Sequence, residues 1–233
     1  MSAPENTLVA FELAMKQGAH GIELDVKLSA DGEVVVIHDE TVERTTNGQG
    51  RVSQLSLAAL RELDAGSFFS DEFLGEKVPT LVEVFETLGK RGIMNVELTN
   101  YSTPRDGLAD KVCELVQRFG FQDRVLFSSF LPSNLKRTRS LLPDTPRGLL
   151  ALNGWMGWWS RSFGFSFGDY QALHPSVRDT TIQQVARVHR LRRLIYVWTV
   201  NAVEDMRRLI GWGVDGLITD DPKLAMDVLS EMI

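Results

Sequence analysis

Glu23 and Asp25 stand two residues apart in the apolar run Gly21-Ile22-Glu23-Leu24-Asp25-Val26, and that spacing has a chemical consequence. Successive side chains of an extended strand point to opposite faces, so the two carboxylates share one face while Ile22, Leu24 and Val26 pack on the other. Like charges side by side on an apolar strand are costly unless a cation neutralises them. An all-oxygen donor set favours a hard ion such as Mg²⁺ or Ca²⁺. Asp31-Gly32 then signals a hairpin turn. An antiparallel return through Val34-Val35-Val36-Ile37-His38-Asp39, centred on that turn, sets position 38 opposite position 24 and brings His38 beside the acids. These residues alone leave two readings open: a metal site with an acid/base group, or an exposed edge hairpin with polar tips.

A third acid favours the metal site. Asn95-Val96-Glu97-Leu98-Thr99 is an apolar strand with Glu97 near its carboxyl-terminal end, the end at which barrel active sites form. Glu23, Asp25 and Glu97 would then be the ligands, with His38 as the nearby acid/base.

The elements that must position these residues alternate along the chain. Helical spacing and stop signals predict helices over 6–17, 57–63, 81–91, 107–119, 133–142, 181–190, 203–212 and 222–232. Strand patterns fall at 21–27, 33–38, 94–99, 125–130, 148–152, 172–174, 194–200 and 214–219. Such βα alternation makes a parallel sheet, and 233 residues with 43% hydrophobic content suit one closed α/β barrel spanning 1–233. The polar stretch at about 39–79 is expected to be an insertion. With 33–38 set aside as antiparallel, seven parallel strands remain, one fewer than a (β/α)8 barrel needs. Because the chain opens on a helix that should follow a strand, the expected vacancy is the first strand.

A net charge of −6 argues against nucleic acid and anionic membrane and points to a small-molecule partner. The single cysteine, Cys113, excludes an intramolecular disulfide and a Cys-rich metal site. No run approaches the about 18 apolar residues of a membrane span, and the expected location is the cytoplasm.

Pro4-Glu5-Asn6-Thr7, Glu23-Leu24-Asp25-Val26, Asp31-Gly32, His38-Asp39, Arg44-Thr45-Thr46-Asn47-Gly48, Pro79-Thr80-Leu81, Glu97, Phe127-Ser128-Ser129-Phe130, Trp198-Thr199-Val200-Asn201 and Gly213-Val214-Asp215-Gly216-Leu217-Ile218-Thr219-Asp220-Asp221-Pro222 follow in order along the chain. Together they resemble the glycerophosphodiester phosphodiesterases. The resemblance implies a TIM-type barrel that hydrolyses glycerophosphodiesters to sn-glycerol 3-phosphate and an alcohol, with Ca²⁺ or Mg²⁺ held at Glu23, Asp25 and Glu97. It makes His38 one of two catalytic histidines. In that family the glycerol 2-hydroxyl attacks phosphorus, and water opens the resulting cyclic phosphate.

Two departures from the family pattern carry expectations. The family's barrel opens with a strand ending in His-Arg-Gly shortly before the Pro-Glu-Asn-Thr match; this chain has none, so the first histidine and its arginine are missing and turnover is expected to be impaired. The family also often carries lysine where this chain has Thr99. Lys27 shares a face with Glu23 and Asp25 but is read as a solvated lysine beyond the strand end.

Other residues take supporting expectations. Glu5 is placed behind the site as a positioning group, and Arg44 beside His38 as a substrate or salt-bridge partner. Ser129, His174 and Asn201 are read as substrate contacts at strand ends, and Trp198 as lining the mouth. The aromatic stretch at 155–167 is read as a lid, a dimer contact, a shallow lipid-facing patch or plain packing, which leaves membrane contact open. Beside the diesterase reading stand a related lysophospholipid or sphingolipid phosphodiesterase and a non-catalytic barrel that binds metal and polyol.

Overall fold

Apolar strand runs and amphipathic helix runs alternate in this sequence, and the chain folds accordingly into a parallel sheet backed by helices. The computed structural model describes residues 2–232. Helix α1 (Leu8–Lys16) starts at Thr7, whose hydroxyl accepts from the Ala10 amide, and buries Phe11. It leads into β1 (Gly21–Leu28) and the antiparallel return β2 (Val34–Val36). After α2 (Leu57–Glu62) come α3 (Leu81–Leu88), β3 (Ile93–Leu98), α4 (Leu108–Phe119), β4 (Val125–Ser129), α5 (Pro132–Leu141) and β5 (Arg147–Ala151). A helical excursion ending in α6 (Phe165–Phe167) precedes β6 (Ala172–Pro175), α7 (Ile182–Arg190), β7 (Leu194–Val197), α8 (Val203–Gly211), β8 (Gly216–Leu217) and α9 (Pro222–Met232).

The strands form one sheet in the order β2-β1-β3-β4-β5-β6-β7-β8. All except β2 are parallel, which makes the expected seven. Among the described residues β8 pairs with β7 alone, and β1 with β2 and β3. The curled sheet is therefore a TIM-type half-barrel, open between β1 and β8. A cavity of about 1080 Å³ fills its interior from Asp25 and His38 at the mouth to His20 and Asp123 at the opposite end.

Register decides which residues face that interior. Leu24, Val96 and Phe127 are partners across β1, β3 and β4, and they pack outward with Phe85 of α3 and Val112 of α4. The alternate positions, Asp25, Glu97 and Ser128, are likewise partners and share the other face. The hairpin register is Val26 opposite Val36, the same centre that puts position 38 level with 24.

Several elements differ from the expectation. Strands β7 and β8 end sooner than their apolar runs. The aromatic segment after β5, where no helix was expected, forms a 3-10 turn (Gly154–Gly157), a π turn (Ser160–Gly164) and α6. Three arginines pin it from beneath, Arg161 on Gly154 O (2.6 Å), Arg187 on Ser162 O (2.7 Å) and Arg193 on Gly168 O (2.9 Å). Long-range ties such as those of Arg187 and Arg193 leave no mark in local sequence.

Residues 39–79 lie outside the sheet and bury a small core of their own, including Val42, Val52, Leu60 and Val78 against Val35 and Ile37. Asp64 holds the far end of this excursion. Its carboxylate accepts from the backbone amides of Ser67 (2.8 Å), Gly66 (2.9 Å) and Gly75 (2.8 Å), which pull its pKa down to about 2. Hydrogen bonds to a charged group contribute about 1.5–3 kcal/mol, so Asp64→Asn should lose stability of that order. Because the folded-state pKa lies below the roughly 3.9 of an unfolded chain, the contribution is full above that pH and lost as the pH falls through about 2. Urea melts of both proteins at neutral and acid pH test this; equal midpoints at neutral pH would overturn it.

Candidate active site

Strand β1 delivers Glu23 and Asp25, and β3 delivers Glu97 directly beside Asp25. One ligand oxygen from each of the three lies within 4.8 Å of the others. Burial raises the pKa of all three, and their mutual charges raise those of Glu23 and Glu97 further. For Asp25, the His38, Asn6 and Lys27 side chains partly offset the rise. Glu23 Oε1 is buried with no hydrogen-bond partner among the protein atoms. A carboxylate cluster in this state takes up either protons or a cation.

Two neighbours aim the carboxylates, and a third, Lys27, lies close enough to act through its charge. Asn6 sits at φ 55°, in the left-handed region that costs a side-chain-bearing residue energy. From there its Nδ2 donates to Asp25 Oδ2 (3.0 Å) and its Oδ1 accepts from the Asp25 amide (3.2 Å). Tyr101 donates its hydroxyl to Glu97 Oε1 (2.7 Å). Lys27 corrects the sequence reading: it lies inside β1, 5% exposed, and its Nζ donates to Thr99 O (2.6 Å) and Glu40 Oε1 (3.2 Å). The strand runs further than its apolar residues suggest, so a lysine placed beyond its end is enclosed within it.

His38 stands at the mouth, and a chain of charges fixes its ring. Its Nδ1 lies 2.6 Å from Asp39 Oδ1. Arg44 donates through Nε to Asp39 Oδ2 (2.6 Å) and through two nitrogens to the Glu5 carboxylate (2.7 Å each). The guanidinium bond holds Asp39 down at about pKa 2. Burial works against the charged imidazole, but the Asp25 and Asp39 carboxylates outweigh it and raise the His38 pKa. Arg44 and Glu5 thus act together, Glu5 engaging this arginine.

The remaining expected contacts divide. Trp198 is part-exposed, donates Nε1 to His174 O (2.7 Å), and stands edge-on to Phe130, which is edge-on to Tyr101. That makes an aromatic wall ending at Glu97. His174 lines the central cavity but is wholly buried, both ring nitrogens lack partners, and burial lowers its pKa to about 3. It is an interior residue rather than one at the rim. Ser129 is buried and turned away, bonded to Leu98 O (2.8 Å) and to Asn134 Nδ2 (3.2 Å). Ser128 holds the inward position beside Glu97, a one-residue shift that reverses the face. Asn201 clasps the start of the last turn through Asp220 Oδ2 (2.6 Å), Thr219 Oγ1 (3.1 Å) and the Asp220 amide (3.0 Å), and so serves the loop rather than the cavity.

Comparison with known proteins bears directly on this arrangement. Residues 1–224 match the glycerophosphoryl diester phosphodiesterase family. A glycerophosphodiester phosphodiesterase of Caldanaerobacter subterraneus is 39% identical over 98% of this chain and 93% of its own length. The chain belongs to that family. An Oleispira antarctica phosphodiesterase, solved in complex with the product sn-glycerol-3-phosphate, superposes with a TM-score of 0.83 at 30% identity over 98% of this chain and 92% of its own. A glycerophosphodiester phosphodiesterase from Agrobacterium tumefaciens gives 0.81 at 31% identity, covering 97% and 94%. The family makes this chain a phosphoric diester hydrolase with a TIM-type fold.

In this phosphodiesterase, the acidic triad and the unpartnered Glu23 oxygen fit a divalent cation. Asn6 and Tyr101 are the residues that sequence reasoning missed as positioning groups. The motif containing Asn6 was visible, but nothing local shows it reaching a strand 19 residues away. Removing an outer partner of a metal-binding carboxylate typically costs about 10–100-fold in affinity. Asn6→Ala should therefore weaken Mg²⁺ and Ca²⁺ binding by that factor in calorimetric titrations, with circular dichroism checking the fold; unchanged affinity would remove Asn6 from this role.

Proposed function

We propose that this chain hydrolyses glycerophosphodiesters to sn-glycerol 3-phosphate and an alcohol, with one Mg²⁺ or Ca²⁺ held by Glu23, Asp25 and Glu97. The observation that carries the reading is the convergence of these three carboxylates with His38 at the carboxyl-terminal end of β1 and β3. The product-bound relative from Oleispira antarctica supports the product class. A bound divalent ion polarises phosphoryl oxygens and lowers the pKa of a bound hydroxyl.

The chain's own residues do the rest. Asp39 accepts from His38 Nδ1, which leaves Nε2 for the reacting centre. His38 moves one proton, either from the glycerol 2-hydroxyl as it attacks phosphorus or to the departing alcohol as its P–O bond breaks. Arg44 keeps Asp39 ionised and oriented, and Glu5 anchors Arg44. In this reading the departing alcohol lies against the edge-on pair of Trp198 and Phe130 beside Tyr101. No second histidine pairs with His38 at the mouth among the described residues, since His174 is buried and electrically neutral. His38 is the acid/base group that this reading assigns, a role worth about 10²–10⁴-fold.

The exposed aromatic segment after β5 favours a second reading, a lysophospholipid as the diester. Assays on glycerophosphocholine and lysophosphatidylcholine, with chelator and with Mg²⁺ or Ca²⁺ restored, separate the two. Release of glycerol 3-phosphate should require the ion, and His38→Ala should lower kcat by about 10²–10⁴-fold while ion binding persists. Extending the amino terminus with a strand ending in His-Arg-Gly should raise kcat at constant ion affinity. Hydrolysis indifferent to both chelator and His38→Ala would refute the assignment.

A further inference from the structure

A lysine enclosed within a strand is costly unless its ammonium is paired, and the pairing that Lys27 finds reaches both halves of the site. Its Nζ donates to Thr99 O (2.6 Å) on one side and to Glu40 Oε1 (3.2 Å) on the other. The second oxygen of Glu40 accepts from the Ser102 hydroxyl (2.5 Å). Three segments therefore meet at one buried ammonium: β1, the loop that follows β2, and the turn that follows β3.

Each of the last two carries a residue of the site. Strand pairing holds the chain after β2 as far as Ile37, whose amide donates to Asp25 O (3.0 Å). His38, Asp39 and Glu40 then follow outside the sheet, so side chains must hold them. Asp39 is tied to Arg44, and Glu40 to Lys27 and Ser102, which fixes adjacent residues from two directions. On the other segment, the Thr99 amide (3.2 Å) and hydroxyl (2.9 Å) both donate to Val26 O and lock the end of β3 to β1. Thr99 O accepts from the Tyr101 amide (2.8 Å) as well as from Lys27, and so closes a three-residue turn. That turn carries the Tyr101 hydroxyl back to Glu97 (2.7 Å).

Lys27 thus bonds the carbonyl on which the Tyr101 turn closes and the carboxylate two residues beyond His38. The acids ride on strands whereas His38 rides on a loop, so the distance between the proton-moving group and the ion ligands depends on ties of this kind. We propose that Lys27 is a positioning residue, which through Glu40 and the Thr99 carbonyl fixes the loop of His38 against the strand ends that bear Asp25 and Glu97. Its kinetic consequence rests on the proposed diesterase function; its structural consequence does not.

Glycerophosphocholine hydrolysis and amide hydrogen exchange, read on the same variants, test the proposal. A catalytic group misplaced by about 1 Å can cost about 10²-fold in rate, so Lys27→Met and Glu40→Ala should each lower kcat by about 10–100-fold while KM stays within about 2-fold. Both act through one link, and the double variant should lose no more than Lys27→Met alone. Glu40→Gln keeps an acceptor for Lys27 and a donor for the Ser102 hydroxyl, and should recover most of kcat. Without substrate or ion, exchange of the Tyr101 amide should quicken by about 10-fold in Lys27→Met and Glu40→Ala. Should Lys27→Met unfold by circular dichroism, Glu40→Ala and Ser102→Ala, at side chains that reach solvent, carry the same test. Parental kcat or parental exchange in a folded variant, a loss confined to KM, losses that multiply in the double variant, or Glu40→Gln as slow as Glu40→Ala would overturn the proposal. A parent chain that hydrolyses nothing counts against the diesterase reading alone, and the exchange measurement then decides.

Discussion

Repulsion among three carboxylates is the interaction on which the site depends. Strand pairing leaves Asp25 and Glu97 no freedom to separate, because they are register partners on adjacent parallel strands, and Glu23 follows two residues behind on the same face. Burial raises all three pKa values, and mutual charge raises those of Glu23 and Glu97 further, a cost that a cation repays when it binds. The surrounding hydrogen bonds make sense as restraints against that repulsion. Asn6, from a left-handed backbone, holds Asp25 through two bonds; Tyr101 holds Glu97; the Lys27 ammonium, enclosed within β1, softens the field at Asp25 and Glu97.

The same logic runs outward from His38. An imidazole more than half exposed would turn freely, and the Asp39–Arg44–Glu5 chain removes that freedom by linking the loop after β2 to the residues ahead of α1. An ion pair at a protein surface contributes little to stability, so the worth of this chain lies in orientation. The interior beneath the carboxylates is polar as well. Asn95, Ser128 and His174 each bury polar atoms without protein partners, at about 1–3 kcal/mol apiece. Together with the gap between β1 and β8 and a cavity of about 1080 Å³, they make the centre of the sheet the part least supported by packing.

Alternation made much of this legible in advance. Period-two spacing placed Glu23 and Asp25 on one face, and the Asp31-Gly32 turn set a hairpin register whose centre is the one observed. The count of seven parallel strands followed from βα order, with the antiparallel return kept apart. The failures share one cause. Choosing Ser129 over Ser128, or a solvated Lys27 over a buried one, requires knowing where a strand ends and which face its neighbour presents. Both are settled by pairing with a distant strand rather than by local composition.

By itself, then, the sequence determined the residue types and their periodicity: three acids and a histidine at strand ends, on elements whose order dictates the parallel sheet of a TIM-type barrel, one strand short. Those follow from the geometry of a single extended or helical segment, which local residues control. Tertiary structure decided what each side chain meets. It brought Asn6 to Asp25, Tyr101 to Glu97 and Arg44 to both Asp39 and Glu5, buried His174 in the interior, and wound the aromatic segment into a ridge pinned by Arg187 and Arg193. Tyr101–Glu97 and Arg44–Asp39 are short-range pairs, but the others join chain segments far apart in sequence, and hydrogen bonds between such segments exist only once the sheet has set their distance.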